Sequence, residues 1–188
     1  MNIFVVDEDP FKAAQSLCDA HVVKMIVESC QLLSTQDRLH GHSEGRYKMT
    51  HVNHPCRLCL CSPFNRAWLK LHLYALLREY TFRYNKTHNC QEMFDSLWRF
   101  NIDYVLDVMP PANAPNVEQF MRTGLGDFTT FPQCMPEEYR INDITARQFI
   151  RHIEDTILAY RNYYRYKAKT LKRFTYTKRE PPEWLKEE

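Results

Sequence analysis

His21, Lys24 and Glu28 place an imidazole, an amine and a carboxylate at intervals that a helix brings onto one stripe. At about 100° per residue His21 and Glu28 lie two turns apart and almost eclipsed, with Lys24 between them at the i+3 and i−4 positions. The adjoining arc carries Ala14, Leu17, Val22, Met25, Ile26 and Leu32, so the stripe borders an apolar face. A carboxylate in that position is partly desolvated, which raises its pKa, while the neighbouring ammonium lowers it. The same three residues also fit an ordinary solvated Lys24–Glu28 pair beside a structural histidine. Taken alone, the triplet favours the structural explanation.

The element that must position these groups is the first helix. Asp9 reads as its N-cap and Pro10 as its first residue, and no further Pro or Gly occurs before Gly41, which predicts a helix of roughly 24 residues from Pro10 to Leu33. Residues 2 to 6 form a short apolar extended segment, and the polar stretch from Ser34 to Asn53 reads as a long loop. Ser62 and Pro63 open a second helix to about Tyr84, and a third is predicted from Gln91 to Val108, ended by Pro110 and Pro111. Val117 to Arg122 fits one or two helical turns and Gly124 to Asn142 a loop. Asp143 caps a last long helix to about Tyr166.

Composition agrees with that reading. Apolar content of 44% and aromatic content of 13% rule out general disorder, and only four glycines with frequent helical periodicity argue against a β-rich fold. The expected fold is all-α: one domain spanning residues 1 to 188, a compact bundle of about four long helices with long irregular loops and an extended N-terminus. No stretch is apolar for long enough to span a membrane, and the first residues run directly into acids rather than a signal-peptide core, so an intracellular, cytoplasmic protein without a membrane partner is expected.

Seven cysteines, an odd number, fit reduced thiols better than a disulfide framework. Cys56, Cys59 and Cys61 follow His51 and His54, a set of zinc-ligand types, but no second CxxC unit answers it. The reading taken is no bound metal and no small-molecule cofactor.

The formal net charge of +2 conceals an uneven distribution. Between Tyr160 and Arg179 stand Arg161, Arg165, Lys167, Lys169, Lys172, Arg173, Lys178 and Arg179 with no acid among them, whereas acids outnumber bases in the rest of the chain. Tyr160, Tyr163, Tyr164, Tyr166, Phe174 and Tyr176 are interleaved with these bases. Cations neutralise phosphates and aromatic faces stack unpaired bases, so the segment from about 160 to 179 fits a nucleic-acid surface. An amphipathic helix whose tyrosines pack inward has the same pattern.

The run Leu17-Cys18-Asp19-Ala20-His21, followed seven residues later by Glu28, is similar to the first helix of the phage pyrimidine-dimer DNA glycosylases of the endonuclease V type. An extended N-terminus, Asn53-His54 before a long helix, and Tyr160-Arg161-Asn162-Tyr163-Tyr164 fit the same small all-α fold. The chain also resembles, over most of its length, a largely uncharacterised set of tailed-phage proteins that share the Met-Asn-Ile-Phe start, His21-Val22-Val23-Lys24-Met25 and Thr50-His51-Val52-Asn53-His54-Pro55.

The glycosylase resemblance implies attack of an N-terminal α-amine on the sugar C1′, a Schiff base, and strand cleavage by elimination. An α-amine suits this because its pKa of about 7.7 to 8.0 leaves a neutral fraction near neutrality. Carried over, Glu28 stabilises the cationic sugar and handles protons, and Met1 supplies the amine. His21 and Lys24 complete the pocket, and His54 and His51 contact the substrate. Tyr160, Arg161, Tyr163, Tyr164, Arg165, Lys169, Lys172 and Arg173 hold the strand.

Two departures stand out. The family exposes a small second residue by removing the initiator Met, whereas Asn2 is large enough that retention of Met1 is expected; and the arginines flanking the family's glutamate correspond to Val27 and Gln31. Lys24 is an alternative amine, and Glu28 activating water is an alternative mechanism. The expectation is a DNA-binding N-glycosylase acting on a damaged or modified pyrimidine, with or without lyase activity. Its rivals are a non-enzymatic nucleic-acid-binding or phage–host interaction protein and an enzyme acting on a free nucleotide.

Overall fold

The computed structural model describes residues 1–41, 47–99, 131–141 and 153–186. Within them the chain is helical and forms no strand, as expected. The elements are α1 (Pro10–Gln15), α2 (Asp19–Leu39), α3 (Pro55–Leu58), α4 (Pro63–Tyr84), α5 (Gln91–Leu97), α6 (Ile153–Thr170) and α7 (Glu183–Lys186), with single 3-10 turns at Cys59–Cys61 and Glu137–Tyr139. α4 packs against both α1 and α2.

The predicted starts of α1 and α4 hold because local chemistry decides them. Asp9 Oδ1 accepts from Phe11 N–H at 2.8 Å, Ser62 Oγ accepts from Asn65 N–H at 3.4 Å, and a proline follows each cap. The N-terminal segment is also as expected: Ile3, Phe4, Val5 and Val6 are extended and buried. At the far end of α4, Asn85 closes the helix in the left-handed region at φ 52°. The indole N–H of Trp68 donates to the Glu8 carbonyl at 2.7 Å and that of Trp98 to Asp37 at 2.8 Å, so both large rings are buried without stranding a donor.

The single helix predicted from Pro10 to Leu33 is two helices. α1 ends at Gln15, and α2 begins at Asp19 and runs on to Leu39, replacing the first third of the predicted loop. The break is made by the distant C-terminal segment. Cys18 N–H donates to the Tyr164 hydroxyl at 2.7 Å and Asp19 N–H to the Thr175 carbonyl at 2.9 Å, while Leu17 and Cys18 are fully buried. The last helix reaches Thr170 rather than Tyr166. The third predicted helix starts at Gln91 as expected but stops at Leu97, with Trp98 as its C-cap. Its predicted course beyond Arg99, the predicted start of the last helix at Asp143 and the turns at Val117 to Arg122 lie outside the described residues.

Asp19 is the knot that ties these pieces together. Oδ1 accepts from Arg83 Nη1 and from Thr177 N–H, both at 3.0 Å, and Oδ2 from the hydroxyls of Thr175 and Thr177 at 3.0 and 2.8 Å. Burial works against the charged carboxylate, but the hydrogen bonds from Thr177, Arg83 and Thr175 more than offset it and hold the carboxyl below its usual range. The Arg83 side chain, wholly buried, also meets Glu79 at 2.8 Å and the Gln15 carbonyl at 3.1 Å.

Two buried histidines set an acid limit on this fold. His72 donates Nδ1–H to the Pro10 carbonyl at 3.1 Å and stacks on Trp68, and burial pushes its pKa down to about 3. Burial, then the charges of Lys24 and Lys167, push His21 to about 4. Between pH 6.5 and about 4 the unfolded chain takes up protons that the folded chain refuses, so stability is present above pH 6.5 and declines as the pH falls. Thermal unfolding should therefore show a midpoint that drops steeply between pH 6.5 and 4.5. His72→Leu should flatten that slope, and a parallel profile in the variant would assign the acid sensitivity elsewhere.

Candidate active site

The N-terminus folds back onto the middle of α2. Asn2 N–H donates to Glu28 Oε2 at 2.8 Å, while Lys24 Nζ stands 3.5 Å from Glu28 Oε1. The Glu28 side chain is 14% exposed and that of Lys24 63%, so the carboxylate is at the edge of the buried face and the ammonium reaches into solvent. This is the stripe anticipated from spacing, with one partner that spacing does not reveal. Asn2 itself is fixed: its Oδ1 lies 2.7 Å from the Tyr160 hydroxyl, and its Nδ2–H donates to the Cys134 carbonyl at 2.9 Å.

His21 is buried rather than on the solvent side of the stripe. Its ring stacks on Phe4 at 4.7 Å, and Nδ1 lies 2.9 Å from the Tyr164 hydroxyl. That hydroxyl already accepts from Cys18 N–H, so its own proton is available to a neutral His21. With a pKa of about 4 the imidazole is uncharged near neutrality and acts as a rigid positioning group.

His54 caps α3 by accepting from Cys56 N–H at 3.2 Å, and its ring meets that of His51 edge-on at 6.1 Å. Burial, the N-terminal amine and His51 hold its pKa below the usual imidazole value, while Glu28 pulls the other way. Met1, Glu28 and His54 therefore form one electrostatic cluster. His51 is exposed at its rim, with φ at 51°.

The basic-aromatic segment does not present one surface. Tyr160 and Tyr164 have no exposed surface and belong to the core, where they orient Asn2 and His21 instead of offering rings for base stacking. Arg161 and Arg165 are engaged internally: Arg161 donates to the Val6 carbonyl at 2.8 Å and meets Asp7 at 3.4 Å, and Arg165 donates to the Trp184 carbonyl at 2.6 Å. Tyr163 is half-buried between Phe4, Tyr139 and Tyr166. Lys169, Lys172 and Arg173 face solvent.

Arg173 lines an open groove of about 460 Å³ together with Asp19, Ala20, Val23, Tyr80, Tyr84 and Lys86. Ala20, Val23, Lys24, Val27 and Glu28 share the outer face of α2, which leads from this groove to the carboxylate over about one and a half turns. Two tyrosines and two cations thus flank the approach to Glu28. Tyr80, Tyr84 and Lys86 escaped the sequence reading because they lie on α4 and just beyond it, far along the chain from α2. Asn2 and Cys134 escaped it because nothing local marks them.

The fold and the site together define a small helical protein that sets a carboxylate against its own N-terminal backbone. Residues 1–92 match the family model of pyrimidine dimer DNA glycosylase, and the chain resembles that family from its first residue through α4. The match supports a DNA glycosylase and covers Glu28, His21, Lys24, His51 and His54, while Cys134, Tyr160 and Tyr164 lie beyond it. No curated protein and no solved structure matches the chain. No helix among the described residues is long and apolar enough to cross a membrane.

Proposed function

We propose that the chain is a DNA glycosylase that releases the base at a damaged or modified pyrimidine, with Glu28 as its carboxylate and its own N-terminus as nucleophile. The observation that carries this reading is the Asn2 backbone nitrogen held 2.8 Å from Glu28 Oε2. If Met1 is removed, that nitrogen is the α-amine; if Met1 is retained, the amine stands one residue further out. In either case the amine attacks C1′ as the N-glycosidic bond breaks, and Glu28 accepts the proton that the amine loses.

In that displacement the base leaves with the bonding electron pair and takes up a proton from solvent. Glu28 passes that proton to O4′ as the sugar ring opens, which gives a protonated Schiff base whose positive charge the regenerated carboxylate stabilises. Loss of a C2′ proton and departure of the 3′-phosphate from that species would cut the strand. C1′ is hidden in a stacked duplex, so the target nucleotide must be extruded. The outer face of α2, the groove beside it, and Lys169, Lys172 and Arg173 offer phosphate and stacking contacts for the strand.

A second reading takes Lys24 as the amine, because its Nζ is 3.5 Å from Glu28 Oε1 and most of its side chain is exposed. Borohydride reduction during turnover of dimer-bearing DNA separates the readings. The expected product is a covalent protein–DNA adduct whose peptide map places DNA on the N-terminal residue. An adduct on Lys24 would move the nucleophile there, base release without any adduct would leave Glu28 activating water, and absence of base release would refute the glycosylase reading.

A further inference from the structure

Next to the carboxylate, three donor atoms converge that the proposed reaction does not use. A ring nitrogen of His54 and the sulfurs of Cys56 and Cys134 all lie within 4.8 Å of one another. The two sulfurs are 3.4 Å apart, although the residues are 78 positions apart in the chain. Tetrahedral zinc with Zn–S bonds of about 2.3 Å separates two thiolates by about 3.8 Å, so the sulfurs need only a few tenths of an ångström of adjustment, and the imidazole closes on them by about 1 Å as it turns to the ion.

The donors are held in place from behind. Cys56 sits on α3, whose N-cap is His54; ligation turns to the ion the imidazole lone pair that in the metal-free chain accepts from Cys56 N–H at 3.2 Å. Cys134 is fixed through its backbone: its carbonyl accepts from Asn2 Nδ2–H at 2.9 Å, and its N–H donates to the Tyr160 hydroxyl at 3.3 Å. Phe131, three residues earlier, packs on Trp68 at 5.1 Å. Cys134 is thus preorganised by the hydrogen bonds around it, as metal ligands require.

The neighbouring cysteines are not part of the set. Cys59 turns its thiol to the Cys56 carbonyl at 3.1 Å, and Cys61 is exposed and lies 3.7 Å from Arg57 Nη1. The local run of histidines and cysteines therefore contributes two donors, and the third comes from a distant segment.

We propose that His54, Cys56 and Cys134 form a three-ligand site for a thiophilic divalent cation of the zinc class, with its fourth position left to solvent beside the N-terminus. Imidazole and thiolate are the donor types that such ions select, and three protein ligands with one open position is the pattern of an accessible zinc site. Binding displaces the two thiol protons, so uptake of the ion releases acid. It also bonds residues 131–141 to α3, which meet in the metal-free chain at the Cys56–Cys134 contact of 3.4 Å. The site stands independently of the glycosylase reading.

The probe is Co²⁺ added to the full chain under a phosphine reductant. One equivalent should give thiolate-to-cobalt charge-transfer absorption with tetrahedral visible bands, and one equivalent of Zn²⁺ should bleach them. Cys134→Ser should abolish most of the signal and Cys61→Ser should leave it intact. Should Cys134→Ser fail to fold, alkylation of the unsubstituted chain replaces it: Zn²⁺ should slow modification of the partly exposed Cys134 at least tenfold. No charge-transfer absorption, an unchanged signal in folded Cys134→Ser, or no protection of Cys134 would each overturn the site. A Cys56–Cys134 disulfide forming in air, in a chain that binds no Co²⁺ when reduced, would overturn it as well.

Discussion

Glu28→Gln is expected to lower base release from dimer-bearing DNA by at least about a hundredfold, while binding to the same DNA changes by less than about threefold. The asymmetry follows from what the substitution keeps. Glutamine matches the shape of the carboxylate and still offers an amide oxygen to Asn2 N–H, the contact now made at 2.8 Å, so the N-terminus stays docked. It loses the negative charge that accepts a proton and faces the developing sugar cation. Lys24 loses its partner, but its side chain is 63% exposed and remains hydrated. Single-turnover base release and equilibrium binding measured on one preparation check the prediction. Undiminished release would remove Glu28 from the reaction, and a parallel loss of affinity would make it a docking residue for the N-terminus.

Asp19→Ala is expected to be the most damaging substitution for the fold among residues outside the apolar core, costing about 2 to 3 kcal/mol. The carboxylate gathers α2, α4 and the C-terminal segment through Arg83, Thr175 and Thr177. Without it, the guanidinium of Arg83 stays fully buried with Glu79 and the Gln15 carbonyl as remaining partners, and Thr177 N–H loses its acceptor. For a chain of this size the loss corresponds to a drop of about 4 to 12 °C in Tm. The segment from Thr175 to Arg179 should also become an early site of limited proteolysis. Thr177→Val should cost less, and its effect should shrink sharply in the Asp19→Ala background, since the two side chains share their bonds. Equal effects of Thr177→Val in both backgrounds would show that Asp19 does not organise the segment.

These two residues also mark how far the glycosylase-like motif can be understood physically. In the run from Asp19 to Glu28, Asp19 starts α2 and anchors it, His21 locks against Phe4 and Tyr164, and Glu28 meets the N-terminus. One acid holds the helix and the other is left at its accessible edge. The interval between them is the distance along α2 from the structural knot to the carboxylate that meets the N-terminus.

Features set by neighbours in sequence were legible without a structure. Asp9-Pro10 and Ser62-Pro63 start helices because a capping side chain and a fixed φ act within a few residues, and the stripe of His21, Lys24 and Glu28 follows from the helical repeat alone. The length of the first helix was not legible. No Gly or Pro marks the break at Ser16 to Cys18, because the acceptors that compete for its N–H groups are Tyr164 and Thr175, about 150 residues away.

Tertiary structure likewise decided which tyrosines are buried, since the alternation of aromatic and basic residues is the same for an inward-packed helix as for a stacking surface. It also replaced Cys59 and Cys61 by Cys134 beside His54 and Cys56, and it brought Asn2 to Glu28 across 26 positions. The sequence determined which groups one helix can present together. Only packing, which obeys distance in space and ignores distance along the chain, decided what those groups face.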